Sequence, residues 1–70
     1  MWKVVVIICA LGNPCTVFQE DPEKYYDSKD RCMAVAAEKE RALLEGFEDL
    51  GLIAEMHNHT CELKIDLNSA

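Results

Sequence analysis

The 70-residue chain carries 13 acidic and 7 basic side chains, for a formal net charge of −6 and a pI near 4.7. That balance excludes nucleic-acid binding and adhesion to an anionic membrane surface, while 50% hydrophobic content excludes a disordered tail. A chain this short buries only about 60% of its unfolded surface. A single domain over residues 1–70 therefore needs a staple, and Cys9, Cys15, Cys32 and Cys61 are the available staples.

The first element predicted is a strand over residues 2–9. Val4, Val5, Val6, Ile7 and Ile8 are all β-branched, which suits a pleated surface and resists helix. Alternation puts Trp2, Val4, Val6 and Ile8 on one face and Lys3, Val5, Ile7 and Cys9 on the other. Two apolar faces mark a central strand covered on both sides. As an export signal the stretch is short: Lys3, the apolar run to Leu11 and a small-x-small site at Ala10 to Gly12 make only twelve residues. A membrane span needs about 20 apolar residues, so no span is expected.

Leu11 to Pro14 is a turn cluster, and the strand-like residues 15–20 complete a hairpin. Pro22 ends that strand and residues 23–26 form a connector. A helix follows over residues 28–50, with Gly51 at its C-terminal stop. Cys32, Val35, Ala36, Leu43, Phe47 and Leu50 recur at three- and four-residue steps as one buried stripe. At about 1.5 Å per residue the helix is roughly 33 Å long, enough to cross a strand of eight or nine residues. Residues 54–66 alternate again as a third strand, with Cys61, Leu63 and Ile65 set against Glu62 and Lys64. The fold class is therefore α+β, ββαβ, with one long helix on one face of a three-stranded sheet. A right-handed crossover from the second strand to the third leaves the first in the middle, in the order 2-1-3.

Four cysteines allow three pairings. In this topology Cys9 and Cys15 share the hairpin end of the sheet, while Cys32 and Cys61 share the opposite end. A bridge from Cys15 to Cys32 would cross nearly the whole sheet, beyond the ~7 Å that a disulfide tolerates between Cα atoms. The expected pairs are Cys9–Cys15 and Cys32–Cys61, and disulfides imply an oxidising, extracellular or periplasmic setting.

Among residues that could carry chemistry, His57, His59 and Cys61 alternate on one strand face. Imidazole and thiolate together suit zinc or copper, with Cys32 as a fourth ligand. Disulfide formation at Cys61 removes the thiolate, so no metal or other cofactor is expected. There is no C-x-x-C motif, no glycine-rich phosphate loop and no oriented Cys–His pair, so the chain does not read as an enzyme. Asn58-His59-Thr60 is a glycosylation sequon for a eukaryotic secreted protein. Glu45, Glu48 and Asp49 crowd the C-terminal end of the helix, where the dipole favours cations. They form an acidic patch suited to a basic partner. One helix covers one sheet face, which leaves Val5, Ile7 and Val17 bare on the other as the expected protein interface.

The cysteine layout resembles that of small uncharacterised four-cysteine proteins of bacteria and bacteriophages. It has an apolar strand ending in Cys (VVVIIC), a Cys after a short turn (NPC), one early in a helix (RCMA) and one in the last strand (TCEL). The resemblance carries no activity with it. The expectation is a non-enzymatic structural or interaction module that docks on itself or on a larger assembly, such as a phage virion accessory (cement, decoration or tail) protein. The alternatives are a secreted or periplasmic small binding protein, and a zinc- or copper-binding protein.

Overall fold

The computed structural model describes residues 1–65. Its order is β1 (Trp2–Ala10), β2 (Cys15–Gln19), α1 (Lys29–Asp49) and β3 (Ala54–Leu63). The three strands form one antiparallel sheet in the order β2-β1-β3, so the two-sided apolar strand is central. Val4, Val6 and Ile8 of β1 pack with Cys32 and Ala36 of α1 and Cys61 of β3 in a single core. Trp2, Phe18, Leu43, Leu44 and Phe47 close its margins.

Both disulfides form as the topology requires. Cys9 and Cys15 are direct register partners with Cα atoms 4.0 Å apart, and Cys32–Cys61 ties the helix to β3 across 6.3 Å. On the chain-entropy model the longer loop contributes roughly 3.5 kcal/mol and the hairpin loop about 2.5 kcal/mol.

The local chemistry sets the element ends. Ser28 caps α1 in an extended conformation, its hydroxyl accepting from the Arg31 N–H at 3.1 Å and satisfying one of the orphan donors of the first turn. Gly51 follows at φ +75°, a left-handed conformation that a residue without Cβ adopts at little cost. β3 stops at Leu63, short of the expected residue 66, because its partner strand runs out: Trp2↔Leu63 is the last rung. One further backbone bond, from the Lys64 N–H to the Met1 carbonyl, closes the ladder. Asp66 lies outside the described residues.

Two features depart from expectation. Residues 23–26 are more than a connector, because Tyr26 returns to exchange both backbone hydrogen bonds with Trp2, at 2.9 and 2.8 Å. This isolated bridge continues the β2 side of the sheet beyond the end of β2. Leu50 does not belong to the buried stripe: it is the C-cap of α1 and 76% exposed.

Candidate functional site

The helix does not lie centrally on the sheet. It packs on β1 and β3, drawn there by the Cys32–Cys61 bond, and meets β2 through the edge-to-face pair of Phe18 and Phe47, 6.0 Å apart. A groove of about 320 Å³ therefore opens between α1 and β2. Val4, Val6, Phe18 and Leu43 line it, and Lys39 and Glu20 approach to 3.9 Å at its margin. Glu20 also accepts from the Tyr26 hydroxyl at 3.1 Å. Burial, and then the Glu20 carboxylate, raise the pKa of that hydroxyl.

The expected bare sheet face is only partly bare. Val17 is 55% exposed, but Ile7 is half-buried and Val5 is 5% exposed. The reason lies in the residues around Val5. Lys3 is its neighbour on the same face of β1, and Gln19 and Thr60 are its partners across the sheet. The Lys3 ammonium reaches Gln19 Oε1 at 3.5 Å and lies 4.0 Å from Glu62 Oε1, so a long side chain spans all three strands beside Val5. Lysine stems commonly cover apolar surface in this way. Val5 is therefore buried within the chain and does not belong to the bare surface expected on this face.

Exposed apolar residues stand at both ends of the β1–β3 ladder: Met1, Leu63 and Ile65 at one, and a larger group at the other, where β1 exits, α1 stops and β3 begins. Leu11, Leu50, Leu52 and Ile53 are all exposed there, and the Leu11 N–H donates to the Ile53 carbonyl at 2.8 Å, joining the two loops. Met56, near the start of β3, is exposed as well. Glu45, Glu48 and Asp49 are exposed in the last turns of α1 beside it, and the last turn contains no basic residue. The acidic patch of the sequence and an apolar patch that sequence reasoning missed thus share one end. The missing signal was Leu50-Gly51-Leu52-Ile53 itself: three large apolar residues around a helix stop have little chance of all turning inward.

The second polar constellation lies on the helix side of β3. His57 and His59 each place Nδ1 2.7 Å from a different oxygen of Glu40. Geometry explains the meeting. Cys32, Ala36 and Glu40 follow one another at four-residue steps along α1, about 6 Å each. Cys61, His59 and His57 step back along β3 by two residues, about 6.8 Å each. Once Cys32 is bonded to Cys61, Glu40 falls opposite the histidines. The hydrogen bond from His57 holds the Glu40 carboxyl below the usual carboxylate range, aided by His59 and opposed by burial. The site is not the histidine–thiolate set expected as the metal alternative, because both thiolates are consumed in the disulfide.

No helix is long and apolar enough to cross a membrane. No family model, curated protein or solved structure matches the chain.

Proposed function

We propose that this chain is a non-catalytic, disulfide-stapled interaction module that docks one end on a larger protein assembly. The observation that carries the reading is the cluster of Leu11, Leu50, Leu52 and Ile53, left exposed at the end that also carries Glu45, Glu48 and Asp49. Large apolar side chains exposed in a group and rimmed by polar residues mark a protein contact. The matching partner surface is an apolar recess ringed by lysine or arginine, since charge complementarity guides encounter and register. Two disulfides in so short a chain suit an oxidising setting. A virion accessory role, cementing or decorating a phage particle, fits a small acidic module of this kind. The groove between α1 and β2 favours a second reading, a secreted or periplasmic protein that binds a small ligand over Val4, Val6, Phe18 and Leu43.

Sedimentation of the oxidised protein with and without the particle fraction of its source tests the leading reading. The wild-type chain is expected to travel with the assembly, while a folded Leu50→Asp, Ile53→Asp double variant stays behind. A wild-type chain that sediments only as a free monomer, or a double variant that binds as well as wild type, would remove the proposal.

A further inference from the structure

Each oxygen of Glu40 receives one imidazole Nδ1 at 2.7 Å. An ionised carboxylate can only accept, so both Nδ1 atoms carry their protons, and a neutral imidazole then has its free lone pair on Nε2. Among the described residues neither Nε2 has a hydrogen-bond partner. The two rings remain accessible, with side chains 44% and 27% exposed. They stand on the same face of β3, two residues apart, so their Cβ atoms are about 6.8 Å apart and lean to the same side. Donation of Nδ1–H to a carboxylate is the usual outer half of a histidine metal site, where it fixes the tautomer and makes Nε2 a better donor. Here one carboxylate does this for two rings at once.

We propose that His57 and His59 chelate one divalent transition-metal ion, Cu²⁺ or Zn²⁺, through their Nε2 atoms, with Glu40 as the outer acceptor that orients both rings. Imidazole nitrogen suits both ions, and Cu²⁺ binds such sites more tightly than Zn²⁺. The chain's net charge of −6 favours the approach of a dication. Both Glu40 oxygens are engaged on the Nδ1 side, and the described residues contain no group of three donors placed to hold a metal. The chelate therefore has two protein donors, and its remaining positions take water or an exchangeable ligand. It differs from a histidine–thiolate site in leaving both disulfides closed, and it does not depend on the docking end of the molecule.

Calorimetric titration of the oxidised full chain with CuCl₂ and with ZnCl₂ tests the proposal, together with nitrogen NMR of the histidine rings during the zinc titration. The expected result is one saturable equivalent, tighter for copper, with the Nε2 resonances of both rings moving while Nδ1 keeps its proton. His57→Ala and His59→Ala should each abolish saturable binding. Glu40→Gln should weaken binding by about tenfold or more, with the circular dichroism spectrum and both disulfides retained. Absence of saturable binding of either ion to the wild-type chain would overturn the proposal. So would binding that survives both histidine substitutions, or resonance changes confined to Nδ1. The wild-type NMR result decides the matter even if a variant fails to fold.

Discussion

A carboxylate that accepts hydrogen bonds from two imidazoles is favoured in its ionised form, and Glu40 accordingly lies below the usual carboxylate range. Its side chain is only 13% exposed, but the rings that bond it are 44% and 27% exposed, so solvent screens part of the interaction. A carboxyl whose pKa is depressed on folding adds stability that is fully present above its unfolded value, about 4.3. That stability is lost as pH falls through the lower native value. Glu40→Gln should therefore cost about 1–3 kcal/mol near neutrality, and the gap from wild type should narrow as the solution is acidified below about pH 4.3. Urea denaturation of both proteins between neutral and strongly acidic pH measures this; a gap that widens on acidification would contradict the assignment. Glu40 was hard to find from sequence because a helix residue next to Lys39 and Arg41 looks solvated when taken alone. Its position emerges only when the four-residue step of α1 is laid against the two-residue step of β3 from the Cys32–Cys61 bond.

At the scale of elements, β1 was legible because five consecutive β-branched residues are apolar on both faces. The helix was legible from the stripe of Cys32, Val35, Ala36, Leu43 and Phe47. The lateral placement of α1 was not legible, since periodicity says which stripe is buried and not which strands it lies over. Nor was the burial of Val5, which lies between Gln19 and Thr60 on the neighbouring strands with the Lys3 side chain beside it. The C-terminal end of α1 carries acidic residues and no basic one in its last turn, against the preference of the helix dipole. Glu48→Lys should therefore raise stability by about 0.3–1 kcal/mol and weaken docking on a basic partner. Thermal denaturation and a binding measurement on the same variant test both halves. A loss of stability would mean that Glu48 has a structural role that the helix dipole does not explain.

At the scale of the whole molecule, the two disulfides differ in shelter as well as in span. Cys32 is completely buried and Cys61 nearly so, whereas Cys15 stands exposed in edge strand β2 beside buried Cys9. Thiol–disulfide exchange needs a thiolate to reach a sulfur, so its rate depends on access. Mild reductant should open Cys9–Cys15 first and accumulate a species with Cys32–Cys61 intact, detectable by alkylation and peptide mass mapping. Simultaneous opening, or loss of Cys32–Cys61 first, would contradict this order. The bond that closes the longer loop, with the larger entropic contribution, is thus also the one that a reductant reaches last. The chain therefore has a graded response to reducing conditions: it can lose the tie at its hairpin tip and keep the one that holds its helix down.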